Sequence, residues 1–403
     1  MSILYQFLIS IANFLIPVVS LFDKNISHWW QTRKRQKIPG DLKDCIWIHC
    51  ASLGEFEQGR PVIEAIKKEW PEQKLALTFF SMSGYDVRKN YPLVNWVGCL
   101  PLDTPGNAKD IIQELNPKLA IFVKYEYWYN HLAALSNKQT PFIFISSHWW
   151  PQMYLLKPWY GFLLNKVLLA NATFVQDPGS KEILDTLHAK NVMVNGDTRI
   201  DRVIQIKKEN QKLPPFENIS RNSKIIIAGS TWPQDEKLLW EFYKLNQQLK
   251  LILVPHDPNR SAVNDILRQF GAYHPIKFSD WDTNDFNVLV IDRVGILNTL
   301  YAYGDLAYIG GGFGKGIHNT LEPAVYGLPV FFGPNYQKFK EARDFIQMGI
   351  GQAIQTAEEM NDVLHATILP NLDHIKVKAE EYFKANAGAT NKIIDYLRPF
   401  LSQ

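Results

Sequence analysis

The stretch GGGFGKGIHNTLEPAVYGLPVFFGP, residues 310–334, directly follows the apolar run DLAYI at 305–309. A glycine cluster between an apolar run and a helix-compatible segment reads as strand, loop and helix start, where free backbone N–H groups and the helix dipole attract phosphate. The same order of elements recurs along the chain. From about residue 44, short apolar runs alternate with helical patterns such as PVIEAIKKEW (61–70). The first series of strand candidates is CIWIHCAS (45–52), KLALTFFS (74–81), NWVGCL (95–100), LAIFVKYE (119–126), PFIFISS (141–147) and ATFVQD (172–177). A second series comprises KIIIAGS (224–230), KLILVP (250–255), VLVID (288–292), LAYIGG (306–311) and LPVFFG (328–333). Such alternation is the pattern of a parallel sheet covered on both faces. Two series predict two Rossmann-like domains with a cleft between them. The polar, apolar-poor segment KKENQKLPPFENISRNSK (207–224) is the predicted linker. The expected division is therefore 1–37, 38–210 and 211–403.

Composition agrees with that size. A chain of 403 residues, 46% hydrophobic and 21% charged, buries two full cores and is not disordered. A formal net charge of +3 gives no argument for nucleic acid as a partner. Cys45, Cys50 and Cys99 lie in apolar contexts with neither CxxC nor metal spacing, and read as reduced core thiols of a cytoplasmic enzyme.

The N-terminus departs from globular habit. Met1 to Phe22 carries no charged side chain, and a Trp pair at 29–30 and RKRQK at 33–37 follow. That length is enough to span a bilayer or to lie on one. A secretory signal would place basic residues before the apolar run and small residues at a cleavage site, and neither is present. Gln6, Ser10, Asn13 and Pro17 interrupt the run, so a span, an interfacial helix and a helix packed on the first domain all remain open. On a membrane the Trp pair would sit in the interfacial belt and the basic cluster on the cytoplasmic side.

Ligands of doubly wound sheets bind at the carboxyl ends of the strands, so the loops there carry the chemistry. In ASLGEFEQGRP (51–61), Gly54 lets Glu55 stand at a strand end, ahead of a helix expected to begin near Pro61. Glu55 is the candidate general base, and a carboxylate merely favoured by a helix start is the bland alternative. In FVKYEYWYN (122–130), Lys124 is placed to neutralise a leaving phosphate or a sugar carboxylate, and Glu126 to orient it or hold an acceptor hydroxyl. In VNGDTRIDR (194–202), Arg199 and Arg202 offer forked donors suited to phosphate. In the second half, Pro255 and His256 end a strand, and His318, Asn319 and Glu322 open a helix where Glu322 can accept ribose hydroxyls. The glycine loop matches neither GxxxxGK[ST] nor GxGxxG, which disfavours a P-loop NTPase and a dinucleotide site. The DWD triplet at 280–282 lies among polar turn residues and is weak as a metal pair.

Taken in order, an uncharged N-terminal segment, H-C-A-S-L-G-E, K-Y-E-Y-W, G-D-T-R-I-D, G-G-G with I-H-N-T-L-E-P-A, and V-F-F-G-P-N resemble the 3-deoxy-D-manno-octulosonic acid (Kdo) transferases of lipopolysaccharide assembly. The resemblance covers nearly the whole chain and implies the GT-B fold, with an acceptor-binding N-terminal domain and a nucleotide-sugar-binding C-terminal domain. It also implies transfer of Kdo from CMP-Kdo to a lipid A precursor at the cytoplasmic face of the inner membrane, with inversion and with neither metal nor cofactor. Position by position, Glu55 matches the family's proton acceptor and Arg199 a basic position that steadies the transition state. Pro255 and His256, the segment Val294, Gly295 and Ile296, and the segment Asn319, Thr320, Leu321 and Glu322 match its CMP contacts.

Three departures stand out. The family's E-T-E-L-W is K-Y-E-Y-W here, which puts Lys124 where an acid is usual; P-R-H-P is P-H-D-P, with His256 in place of an arginine; and the glycine loop lacks a serine and carries Lys315. Two other readings keep the same motifs: a GT-B enzyme using a UDP-linked sugar, and a non-catalytic membrane-bound nucleotide-binding scaffold.

Overall fold

The computed structural model describes residues 1–209, 211–220, 222–282 and 285–401. Asn210 and Arg221 of the predicted linker, Thr283 and Asn284 beside the DWD triplet, and the last two residues lie outside the described residues. The chain forms two compact units, Met1–Asp201 with Asn386–Gln403, and Arg202–Ala385. The division falls inside the helix Thr198–Glu209.

The first unit is built on a seven-stranded parallel sheet: β1 (Ile46–Cys50), β2 (Leu75–Phe79), β3 (Trp96–Cys99), β4 (Leu119–Val123), β5 (Phe142–Ser147), β6 (Ala172–Val175) and β7 (Val192–Val194). Their spatial order is β3-β2-β1-β4-β5-β6-β7. Side chains alternate between two cores, as the period of two requires. Ile46, Ile48 and Cys50 of β1, with Leu119, Ile121 and Val123 of β4, face one core. Trp47, Ala120 and Phe122 face the other. The C-terminal helix Ala389–Leu401 closes the first core with Ile393, Ile394, Leu397 and Leu401. Each such side chain, fully buried, contributes roughly 1.5–3 kcal/mol, and all three cysteines are buried free thiols, Cys50 held well above the ordinary thiol range by burial and then by nearby carboxylates.

The second unit repeats the plan with β8 (Ile225–Thr231), β9 (Lys250–Pro255), β10 (Ile276–Lys277), β11 (Val288–Val290), β12 (Leu306–Ile309), β13 (Val330–Phe332) and β14 (Gly351–Ala353), in the order β10-β11-β9-β8-β12-β13-β14. In each sheet the strands to either side of one seam are added outward in opposite senses. In the first unit the seam separates β1 from β4, and in the second β8 from β12. Those seams are where doubly wound sheets bind ligands.

Two helices precede the first sheet, α1 (Ser2–Val19) and α2 (Lys24–Arg35). Helix α1 is long and apolar enough to cross a membrane by length and composition. It nevertheless docks on its unit: the Tyr5 hydroxyl donates to Asp103 Oδ2 at 2.6 Å, and the amides of Gln6 and Asn130 exchange bonds of 2.6 and 3.2 Å. The half-buried Tyr5, Gln6, Ile9, Ala12, Asn13, Ile16 and Pro17 share one helical face. Ile3, Leu4, Phe7, Leu8, Ile11, Phe14, Leu15 and Val18 occupy the opposite, exposed face. Of the interruptions of the apolar run, Gln6, Asn13 and Pro17 thus point to the protein and Ser10 is exposed, while the apolar face points outward.

Helix α2 corrects the expectation for the Trp pair and the basic cluster. Trp29 Nε1 donates to the Phe80 carbonyl at 3.1 Å, and Arg33 is buried, its Nε donating to the Leu100 carbonyl at 2.8 Å. Both residues tie α2 to the sheet because strand-end carbonyls need donors there. Lys34, Arg35 and Lys37 are the exposed part of the cluster.

Candidate active site

In the first unit the seam is framed by the β1 exit and the β4 exit. The Ala51 carbonyl accepts from the backbone N–H groups of Phe80 and Ser81, at 3.2 and 2.7 Å, which fixes the turn after β1. Helix α3 (Leu53–Glu69) starts immediately afterwards, and not near Pro61 as the sequence suggested; Pro61 lies inside it. The reason is the spacing Ser52-Leu-Gly-Glu55, which suits a helix N-terminus, with Phe56 N–H bonding the Ser52 carbonyl at 3.0 Å. Glu55 therefore sits half-buried in the first helical turn, where the dipole favours a carboxylate. Its Oε2 accepts from the Ser52 hydroxyl. Oε1 takes no hydrogen bond among the described residues. Its neighbour Glu57 is an ordinary ion-pair residue, 3.1 Å from Arg88 and 3.7 Å from Arg60.

Across the seam, Glu126 is buried and held from two sides. His49 Nε2 approaches its Oε2 at 2.9 Å, and Trp128 Nε1 donates to the same oxygen at 2.8 Å. His49 is itself anchored: its Nδ1 lies 2.9 Å from Thr78 Oγ1, which accepts from Trp47 Nε1 at 2.8 Å. His49 Nδ1 also lies 3.1 Å from the Thr78 carbonyl, and Oε1 of Glu126 takes no hydrogen bond among the described residues. His49 and Thr78 escaped the sequence reading because their partners are 77 and 29 positions away.

Lys124 leaves β4 in the left-handed region, φ 66°. For a residue with a Cβ this conformation costs roughly 1–2 kcal/mol, and it is held by the Lys124 N–H bond to the Ile145 carbonyl at 2.9 Å. Arg199 grips Asp197 with Nε and Nη2 at 2.9 and 2.6 Å from Oδ2, and its backbone N–H donates to Oδ1 at 2.9 Å. Burial would raise the Asp197 carboxyl, but the charge and hydrogen bonds of Arg199, with the charge of Lys124, hold it below the usual range. Asp201, by contrast, accepts at 2.6 Å from the backbone N–H groups of both Gly388 and Thr390, and serves the C-terminal segment. The nearby Tyr125 hydroxyl is pushed up to about 12 by burial and then by the charges of Glu55 and Asp177.

In the second unit the glycine loop stands at the seam, and its glycines answer mainly to backbone packing. A Cβ on Gly310 would lie 2.2 Å from the Ser230 carbonyl oxygen, and one on Gly312 would lie 2.5 Å from Gly333 N. Asp235 fastens the loop: Oδ2 accepts at 2.9 Å from the N–H groups of both Gly311 and Trp232, and Oδ1 accepts from the Tyr308 hydroxyl at 2.7 Å. The helix expected after the loop is a single turn, Leu321–Ala324, too short for an appreciable dipole. Any phosphate contact there falls to individual N–H groups and side chains. Among the described residues the Thr320 hydroxyl is buried without a hydrogen-bond partner.

Glu322 is positioned by Asn319, whose Nδ2 donates to its Oε1 at 3.0 Å while Asn319 Oδ1 accepts from Leu321 N–H at 3.1 Å. The Asn298 amide, with its nitrogen toward the carboxylate, donates to the same group. Pro255 closes β9, and its neighbour His256 is exposed. Val294 and Gly295 lie in the exposed turn after β11, Gly295 at φ 90°, and Ile296 caps the short helix Leu297–Leu300 that carries Asn298. In the DWD triplet, Asp280 lies 3.8 Å from Lys277, and Trp281 packs on Phe216. No group of three or more His, Cys, Asp or Glu among the described residues could hold a metal ion.

One feature went unread in the sequence. Trp232, His256 and His318 form a ring stack, with centroids 4.7 Å apart for Trp232 and His256 and 4.5 Å apart for His256 and His318. Trp232 Nε1 donates to His318 Nε2 at 3.1 Å. Burial, and then the charge of His256, push the His318 imidazole down to about 4.

Comparison with known proteins relates the chain to one group of transferases. Residues 27–202 match the family model described as 3-Deoxy-D-manno-octulosonic-acid transferase (kdotransferase). The chain is 28% identical over 377 residues to the 3-deoxy-D-manno-octulosonic acid transferase of Aquifex aeolicus (strain VF5), covering 89% of this chain and 95% of that one. It is 27% identical over 371 residues to the enzyme of the same name from Chlamydophila psittaci (strain ATCC VR-125 / 6BC), covering 86% and 81%. In fold it is similar to the UDP-GlcNAc 2-epimerase from Neisseria meningitidis solved with UDP-GlcNAc, with a TM-score of 0.60 at 15% identity over 87% of this chain and 99% of that one. That similarity is one of architecture, two parallel seven-stranded sheets of the GT-B type. The chain is a glycosyltransferase relative of the Kdo transferases, carrying their family domain over residues 27–202 and matching them along most of its length.

Proposed function

We infer that this protein transfers Kdo from CMP-Kdo to a lipid A precursor in lipopolysaccharide assembly. The observation that carries this reading is the near full-length match to proteins named Kdo transferase, covering 89% of the chain in one case. The residues support a division of labour. On the second unit, Glu322, held by Asn319 and Asn298, suits the ribose hydroxyls, and the loop around Thr320 suits the phosphate. His256 and the turn at Val294, Gly295 and Ile296 complete the proposed CMP contacts.

On the first unit, Glu55 accepts the proton of an acceptor sugar hydroxyl as its oxygen bonds to the anomeric carbon of Kdo. The bond from that carbon to the CMP phosphate oxygen breaks on the opposite face, and its electron pair leaves with CMP. Lys124 and Arg199, the two cations that act on Asp197, balance the charge of the donor. Lys124 takes up a position where the family's acid is usual, and the carboxylate near it is Asp197.

A membrane location follows from the acceptor and from α1. The outward apolar face of α1, with Lys34, Arg35 and Lys37 exposed nearby in sequence, suits an interfacial helix lying on the cytoplasmic leaflet. Calorimetric titration with CMP, UMP and UDP-GlcNAc tests the donor half. CMP is expected to bind at least tenfold more tightly than the uridine nucleotides, and preference for UDP-GlcNAc would turn the reading toward a UDP-sugar enzyme.

A further inference from the structure

Trp232 begins the turn after β8 and is 46% exposed, an unusual setting for an indole. Its backbone N–H is held by Asp235, and its ring stacks on that of His256 with centroids 4.7 Å apart. The indole N–H can only donate, and its acceptor is Nε2 of His318 at 3.1 Å. An imidazole nitrogen that accepts carries no proton, so His318 is neutral with its proton on Nδ1. Nδ1 has no partner among the described residues. The ring belongs to the glycine loop: a Cβ on Gly311 would lie 3.1 Å from His318 Cδ2, and His318 N–H bonds the Gly310 carbonyl at 3.1 Å.

We propose that Trp232 is a positioning residue of the donor site: its indole N–H fixes the neutral Nδ1–H tautomer of His318, which then offers a phosphate ester oxygen one hydrogen-bond donor and no charge. The proposal rests on reading the second unit as the nucleotide site. His256, stacked against both Trp232 and His318, disfavours a second charge so close by. Asp235, on the helix Pro233–Leu245, bonds the loop that carries the ring, and Lys315 and Glu322 are the charged residues nearest to His318 in its own segment. A neutral donor keeps phosphate affinity even across the working pH range and does not hold the departing CMP with an additional charge.

The test is NMR of the His318 ring in the full chain, assigned with His318→Gln, in the wild type and in Trp232→Phe, together with CMP titrations at pH 5 and pH 7.5. Phenylalanine keeps an aromatic ring in the stack and removes only the N–H. The wild type is expected to show the Nδ1–H tautomer. In Trp232→Phe the tautomers should mix, the His318 titration should move up by about one unit, and CMP affinity should gain roughly fivefold more than the wild type on going from pH 7.5 to pH 5. His318→Gln should abolish that extra gain. An unchanged tautomer and titration in Trp232→Phe, or a wild-type ring protonated on Nε2, overturns the proposal. Failure of the wild type to bind CMP at all overturns the nucleotide-site reading instead, and the NMR comparison still decides what Trp232 does to His318.

Discussion

Ser52 donates its hydroxyl hydrogen to Glu55 Oε2 across the first turn of α3. One carboxylate oxygen is thereby committed to a neighbour three positions away, and the other takes no hydrogen bond among the described residues. That orientation, with no ion pair to the carboxylate among the described residues, suits the proposed general base.

Replacing Glu55 by Gln keeps size and the bond from Ser52 and removes the proton acceptor. Turnover is expected to fall by about 10² to 10⁴ with CMP affinity nearly unchanged. Joint loss of CMP binding and turnover in steady-state and calorimetric measurements would make Glu55 a structural residue.

Glu322→Gln weakens two charge-assisted contacts with the asparagines and any contact to the ribose. The KM for CMP-Kdo should rise by roughly tenfold while kcat changes less. An unchanged KM would move the ribose contact elsewhere.

Asp197 is depressed in the folded state by Arg199 and Lys124 against the opposing effect of burial. Its stabilising contribution is present above its ordinary, unfolded value of 3.8 and is lost as pH falls through the lower folded value. Asp197→Asn should therefore lower the Tm at pH 7 and flatten the Tm–pH curve below pH 4. A variant curve parallel to that of the wild type in acid would show that the carboxylate is not coupled to folding.

Deletion of residues 1–22 removes the Tyr5 and Gln6 contacts but no buried core side chain. The shortened protein should fold with a reduced Tm and bind CMP, since leaving Asp103 short of one donor costs about 1–3 kcal/mol. Activity should fall more on acceptor in vesicles than on acceptor in detergent. Full co-sedimentation of the shortened protein with vesicles would show that α1 is not the membrane contact.

The two sheets were legible because apolar runs such as IWIHC and LAIFV alternate with helical patterns. Three edge elements were not. Val192–Val194, Ile276–Lys277 and Gly351–Ala353 are at most three residues long, too short to show a period. Pro61 misled the placement of α3, since a proline typical of a helix start sits inside that helix. The positions of Glu55, Arg199 and Glu322, in the segments that follow β1, β7 and β12, were readable from the order of strands, and their roles remain the proposal. Their partners were readable only in part: Asp197 and Asn319 adjoin them, whereas the bond from Trp232 joins residues 86 positions apart, and no local pattern encodes it.

The most direct measurement is mass analysis of a lipid A precursor after incubation with CMP-Kdo and the full-length protein in detergent, beside the Glu55→Gln variant. The wild type should add one or more Kdo residues and release an equal amount of CMP, and the variant should add almost none in the same time. No mass gain with wild-type protein that binds CMP, or undiminished product from Glu55→Gln, would contradict the account.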